Sequence, residues 1–148
     1  NNQLTDFAFR PVIQGRPVAN RRRPGKRPMS SMAPLIVFEQ GQPVLAVGSP
    51  GGRTIPHFIS RVLMASLLWG LTPEQSVAMP HLSIRGNVLV AERDSPIPWP
   101  FAWTELSRGK QEIKSQPLNS GIALLQLIQG RWHGVADPRR EGTAIALF

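Results

Sequence analysis

The chain has 148 residues, of which 41% are hydrophobic, enough for one domain with a real core. It contains no cysteine, which excludes disulfide frameworks, thiolate zinc sites and cysteine nucleophiles. Lys and Arg number 17 against 9 acids, giving a formal net charge of +8, and no apolar run is long enough to cross a membrane. No signal peptide is visible, and the first residue is Asn1 rather than Met, so a processed product, a fragment or a trimmed chain is expected.

In chain order, residues 1–9 mix amide, acid and aromatic side chains and read as a strand end running into a loop. Residues 10–28 carry Pro11, Pro17, Pro24 and Pro28 with Gly15 and Gly25, a density that stops helix and central strand alike. This stretch is a long surface loop, of a length that suggests a function such as a lid. It also holds Arg10, Arg16, Arg21, Arg22, Arg23, Lys26 and Arg27, with no acid between Asp6 and Glu39. Such a run suits a solvated loop, a surface meeting an acidic partner, or nucleic acid. Without interleaved aromatic residues, stacking on bases has little support, and a nucleic-acid partner is not expected.

Residues 35–39 and 44–47 predict a hairpin across Gln40-Gly41-Gln42. Both runs are almost wholly apolar, so both faces of their sheet are expected to be covered. Gly48-Ser49-Pro50-Gly51-Gly52 then opens an apolar helix over 55–71, with Ile55, Phe58, Ile59, Val62, Leu63, Ser66 and Leu67 at helical spacing and Gly70 as its cap. Thr72-Pro73-Glu74-Gln75 is a capping box that starts a short second helix ending near Met79. Strands are predicted over 82–84 and 88–92 around Arg85-Gly86-Asn87. Pro96, Pro98 and Pro100 form a connector, with a helical stretch over 101–108 and a strand over 111–114. A closing hairpin spans 122–129 and 132–136 across Gly130-Arg131, followed by a turn and a last strand over 143–148. The class is α+β, with helices covering a mostly antiparallel sheet in a single domain over 1–148.

The glycine turn is the element around which the chain is arranged. A strand feeding a paired-glycine bend and a helix points backbone N–H groups at one spot, where a phosphate, carboxylate or oxyanion can sit. A tight turn that binds nothing has the same sequence. His57, His81 and His133 are scattered without metal-ligand spacing and read as structural or surface residues, so no metal and no cofactor is expected. Ser49 lacks the frame of a nucleophile elbow and reads as a turn residue. Ser30-Ser31 offers two hydroxyls suited to a carboxylate, and Gln3 with Asp6 offers an amide carbonyl and an acid suited to an ammonium group. Taken singly, these are equally an ordinary serine turn and a surface loop end.

Four blocks in order, Asn1-Asn2-Gln3-Leu4-Thr5-Asp6-Phe7, Gly25-Lys26-Arg27-Pro28-Met29-Ser30-Ser31-Met32-Ala33-Pro34, Gly48-Ser49-Pro50-Gly51-Gly52 and Asp137-Pro138-Arg139-Arg140, resemble the small subunit of gamma-glutamyltranspeptidase. The resemblance runs over nearly the whole chain, most specifically at the serine-pair and double-glycine blocks and least over 87–116. It implies an N-terminal nucleophile hydrolase with a four-layer αββα sandwich, made by self-cleavage of a precursor into a large and a small subunit that stay together. It implies that a threonine at the small subunit's N-terminus attacks the gamma-glutamyl amide of glutathione, with its own amino group as base, and that the ester passes to water, an amino acid or a peptide. Carried onto this sequence, it makes the N–H groups of Gly51 and Gly52 the oxyanion hole. Ser30 and Ser31, with an arginine of the large subunit, become the holders of the substrate α-carboxylate, and Gln3 and Asp6 the holders of its α-amino group.

The resemblance also marks departures. The chain starts downstream of the family's Thr-Thr-His segment, so nucleophile and supporting residues lie outside it and this piece by itself is expected to be inactive. The loop 8–28 stands where the family has its lid, but it is arginine-rich and has no tyrosine. Arg53-Thr54 follows the glycine pair where the family usually has serine-arginine. A glutaryl-type cephalosporin acylase is the rival within the superfamily. Asp6 argues against it, because a glutaryl group has no ammonium for an acid to hold. A precursor that never matures is a further alternative, and a basic nucleic-acid-binding module is the rival of another class. By resemblance the protein belongs with periplasmic or secreted bacterial proteins, a compartment that composition leaves open.

Overall fold

The computed structural model describes residues 6–98 and 112–145. The expected helix over 101–108 falls outside them. The chain forms two compact units, 1–31 and 32–148.

The first unit is a loop pinned by its own backbone. A two-residue hairpin, β1 (Val12–Ile13) and β2 (Arg16–Pro17), turns at Gln14-Gly15. Ala8 N–H donates to Asn20 O at 2.9 Å and Val18 N–H to Pro11 O at 2.9 Å. The Asn20 amide also donates to the Asp6 carbonyl. Proline density thus prevents long elements without leaving the loop unstructured.

Among the described residues the second unit holds two sheets and two α-helices, the α+β class expected. β3 (Leu35–Glu39), β4 (Gln42–Gly48), β8 (Ala123–Ile128) and β9 (Arg131–Ala136) form an antiparallel sheet in the order β3-β4-β8-β9. Its hairpins turn at Gln40-Gly41 and Gln129-Gly130, all four residues having positive φ, the geometry that matches strand twist. The second turn thus lies one residue earlier than expected, with Arg131 paired to Ile128. β5 (Leu82–Arg85) pairs antiparallel with β6 (Val88–Glu92), and β6 pairs parallel with β7 (Glu112–Gln116). Residues 143–145 are not a strand, contrary to expectation; 146–148 lie outside the described residues.

α1 (Ile55–Leu63) buries Ile55, Phe58, Ile59 and Val62 against Leu45, Val47, Leu124 and Val90. Each such side chain contributes about 1.5–3 kcal/mol of burial. The expected helix does continue past residue 63, but as a π-turn over Met64–Leu68. One extra residue per turn shifts the apolar stripe, so Ala65 and Ser66 go inward and Leu67 turns to solvent instead of the core. Gly70, at φ 67°, ends it as expected. α2 (Pro73–Ala78) starts with the expected reciprocal cap: Gln75 N–H donates to Thr72 Oγ1 at 3.3 Å, and Thr72 N–H to Gln75 Oε1 at 3.0 Å.

Among the described residues, helices do not cover both faces of the four-stranded sheet, contrary to expectation. Leu35, Val47, Leu124 and Val135, in register, face the helices. Ile36, Ala46, Leu125 and Gly134, one residue along, face outward, with Ile36 57% and Leu125 50% exposed. Alternation puts two apolar sets on opposite faces, and the helices cover only one. A sheet with one helical layer and one bare apolar face is half of an αββα sandwich.

Candidate active site

β4 delivers the chain to the glycine bend. Gly51 takes φ 137° and ψ 11°, Gly52 takes φ 58°, and a single 3₁₀ turn (Gly52–Thr54) leads into α1. Thr54 donates to the Gly51 carbonyl twice, through its N–H at 3.3 Å and Oγ1 at 2.6 Å. Among the described residues nothing accepts from the Gly51 N–H. A Cβ on Gly51 would lie 2.6 Å from Cε2 of Phe58, which is 1% exposed and has nowhere to go. A Cβ on Gly52 would meet nothing within 4 Å. Two adjacent glycines thus have different causes: Gly51 needs space and conformation, Gly52 conformation alone.

Ser49 serves the turn, as expected. Its hydroxyl donates to Pro50 O at 2.7 Å and accepts from Gly121 N–H at 3.3 Å. Gly121 is itself wedged, since a Cβ there would lie 2.7 Å from both Pro50 and Arg140 side chains. Arg140 Nε donates to Ser120 O at 2.8 Å.

Behind the bend lies a buried polar network. The Phe58 ring packs on the His81 ring at 4.1 Å. Arg61 Nε, which can only donate, gives a hydrogen bond to His81 Nδ1 at 3.0 Å. His81 therefore carries its proton on Nε2 and donates it to Ser120 Oγ at 2.7 Å. Ser120 donates in turn to Asp137 Oδ2, which also accepts from Ile122 N–H at 3.1 Å. Asp137 Oδ1 accepts from Arg139 N–H at 3.0 Å and Nη1 at 3.1 Å. Arg139 forks onto Glu92 and reaches the carbonyls of Val77 and Met79. Glu92 Oε2 accepts from His81 N–H at 2.8 Å, which closes the circuit.

Two buried cations thus face two buried anions, with a neutral imidazole between. Burial, then the charges of Arg61 and Arg139, push the His81 pKa down to about 2. Burial, then Arg139, lowers Arg61 to about 10, against the pull of Glu92 and Asp137. Burial alone would raise the Asp137 carboxyl, but hydrogen bonds from Ser120, Arg139 and Ile122 and the charge of Arg139 hold it below its usual range. The trio His81, Ser120 and Asp137 is no serine-hydrolase triad. Its acid accepts from the serine instead of orienting the histidine, and all three side chains are buried.

Of the residues singled out in the sequence, Gly51 and Gly52 lie together in the second unit. Asp6, Ser30 and Ser31 lie in the first, with Ser30 exposed and Asp6 and Ser31 half-buried, and Gln3 lies outside the described residues. Sequence reasoning missed Arg61, Glu92 and Ser120; His81, read as a structural or surface residue, is structural. The Asp137-Pro138-Arg139-Arg140 block was their one visible trace, read as a turn and as one of the four blocks of the resemblance, with no role given to its side chains. Among the described residues no group of three His, Asp or Glu could hold a metal, and no helix is long and apolar enough to cross a membrane.

The gamma-glutamyltranspeptidase family model matches residues 1–147. The chain belongs to the gamma-glutamyltranspeptidase family. It is 33% identical over 150 residues to the glutathione hydrolase proenzyme of Bacillus subtilis (strain 168), covering 99% of this chain and 24% of that relative. The chain therefore spans about a quarter of the length of that curated relative. Among solved structures it is similar to the gamma-glutamyltranspeptidase of Pseudomonas nitroreducens complexed with L-DON, at TM-score 0.81 and 25% identity, covering 100% of this chain and 81% of that one. The cephalosporin acylase of Bacillus halodurans shares the fold, at TM-score 0.77 and 22% identity over 99% of this chain and 27% of that one. The α+β fold is thus that of the N-terminal nucleophile hydrolases.

Proposed function

We propose that this chain is the C-terminal part of the small subunit of a gamma-glutamyltransferase or hydrolase that acts on glutathione and other gamma-glutamyl compounds. The observation that carries the reading is the Gly51 bend, where the backbone conformation and the Phe58 ring exclude a side chain and the N–H has no acceptor among the described residues. A threonine at the small subunit's N-terminus, outside this chain, attacks the gamma-glutamyl carbonyl. The carbonyl oxygen gains negative charge as the tetrahedral intermediate forms, and the N–H groups of Gly51 and Gly52 donate to it. Collapse expels the amine, and the resulting ester passes to water, an amino acid or a peptide.

In this reading Ser30 and Ser31 hold the α-carboxylate of the glutamyl group, and Gln3 and Asp6 its α-ammonium. The large subunit of the same precursor is the partner, and the loop 8–28 acts as a basic lid. The bare apolar sheet face supports such a partner, since a lone chain exposing Ile36, Phe38 and Leu125 together would aggregate. The experiment is expression of the full precursor, followed by release from gamma-glutamyl-p-nitroanilide and from its glutaryl analogue. Self-cleavage and faster release from the gamma-glutamyl substrate are expected. Faster glutaryl release would instead assign the protein to the acylases.

A further inference from the structure

A cleft of about 610 Å³ opens between the glycine bend and the β5–β6 turn, lined by Gly51, Arg53, Thr54, Ser83 and Arg85 among others. Two arginines line it, and among the described residues no acid does. Arg53 and Arg85 are both exposed, and neither side chain makes a hydrogen bond or an ion pair among the described residues. Of the other described arginines of this unit, Arg61, Arg139 and Arg140 bond to carbonyls or side chains and Arg93 pairs with Asp94, while Arg131 lies away from the cleft on β9. Two unpaired arginines held in one concave space repel each other and concentrate positive potential there. The planar fork of each fits a carboxylate.

One wall of the cleft is Gly51. If the Gly51 N–H receives the developing oxyanion, whatever occupies the cleft lies beside the scissile bond. The glutamyl side of that bond is already supplied with an acid and two hydroxyls. The other side, the amine that leaves or arrives, has no assigned holder.

We infer that the cleft is the subsite for the leaving and incoming amine and that Arg53 and Arg85 select amines bearing a free carboxylate, namely amino acids and short peptides. The inference rests on the gamma-glutamyl reading and deepens it. The cysteinylglycine released from glutathione has such a carboxylate, as does an amino-acid acceptor, and water as acceptor needs none. Salt should weaken the selection, because both guanidiniums are exposed.

The test compares the self-cleaved enzyme from the full precursor with its Arg53→Gln/Arg85→Gln variant. The substrates are gamma-glutamyl-p-nitroanilide and gamma-glutamyl-3-carboxy-4-nitroanilide, which differ by one carboxylate on the leaving group. The readout is the ratio of the two kcat/KM values within each enzyme, so a general loss of activity cancels. The wild-type ratio should favour the carboxylated substrate and fall about tenfold in the variant, as expected for losing charge-assisted hydrogen bonds. Arg53→Lys/Arg85→Lys should retain part of the preference, and added salt should erode it in the wild type only. Subunit bands on a gel show that each variant has folded and matured. An unchanged ratio overturns the inference and leaves gamma-glutamyl chemistry standing; it would mean that the arginines meet an acidic segment of the large subunit. Failure of the matured wild type to cleave either substrate would remove the gamma-glutamyl reading, and this inference with it.

Discussion

Replacing Gly51 with alanine is the sharpest perturbation of the proposed oxyanion site. The new methyl would lie 2.6 Å from the Phe58 ring, which is pinned between the core and the His81 ring. Phe58 cannot give way without disturbing His81, so the bend itself must move. Forced overpacking costs about 1–3 kcal/mol, and a side chain in so sparsely populated a conformation adds about 1–3 kcal/mol. Displacing the N–H from the oxyanion amounts to losing one donor, roughly a 10²–10³-fold fall in kcat. Gly52→Ala is the matched control for strain without collision. It has open space and a left-handed φ, so it should cost about 1–2 kcal/mol of stability with a smaller loss of turnover. Adding Phe58→Leu to Gly51→Ala removes the obstructing ring edge and should recover part of the lost rate. The assay is kcat on gamma-glutamyl-p-nitroanilide, normalised to the fraction matured. Gly51→Ala turning over within about threefold of wild type would refute the reasoning, as would a double variant no better than the single one.

Acid should destabilise the fold through His81. Its folded pKa is depressed from 6.5 to about 2, so the unfolded chain takes up a proton that the folded chain refuses. Stability is whole above pH 6.5 and falls below it by about 1.4 kcal/mol per pH unit. Asp137, also depressed, adds a loss as pH falls through its usual value of 3.8. Urea midpoints of the mature enzyme should therefore drop between pH 7 and pH 5, and His81→Gln should flatten that slope while lowering stability overall; equal slopes would contradict the assignment. Asp6→Ala should raise KM for gamma-glutamyl donors by about tenfold or more, the cost of an unpaired ammonium, and an unchanged KM would remove Asp6 from the amino site. Leu125→Glu, on the bare sheet face, should stop the full precursor from maturing while leaving the helix-covered core untouched. Normal subunit yield would mean that nothing packs there.

The local devices were legible in the sequence because each lies within a few residues. The Thr72–Gln75 cap, the Gln40-Gly41 hairpin and the Ile55–Val62 stripe follow from spacing alone. The π-turn was not legible, because Leu67 fits a continued α-helix as well as Leu63 does. Nor was the bare sheet face: alternating apolar residues on both faces of a strand say that both meet something, not that the described helices cover only one of them. The double glycine marks the proposed oxyanion site in the sequence, but the Phe58 ring that distinguishes Gly51 from Gly52 comes from the start of the next helix. The buried circuit was hidden most completely. Arg61, His81, Glu92, Ser120 and Asp137 are scattered over 77 positions, and each looks ordinary beside its neighbours in sequence.

That circuit makes physical sense behind the proposed site, which is built from main chain. Breaking one of its ion pairs would leave a buried charge, a loss of about 3–5 kcal/mol, yet an intact buried pair is weak evidence of stability compared with apolar packing. Its distinctive effect is on direction. Arg61 can only donate, so the hydrogen bonds run one way, from Arg61 through His81 and Ser120 to Asp137. A circuit with a single proton arrangement has a single geometry, and it fixes the 118–122 and 137–140 segments against Pro50 and Phe58. An oxyanion hole made of side chains can be adjusted by rotamers. One made of two peptide N–H groups has no such freedom, and its accuracy is that of the wall behind it. The buried charges therefore lie where a loose wall would be felt in the transition state.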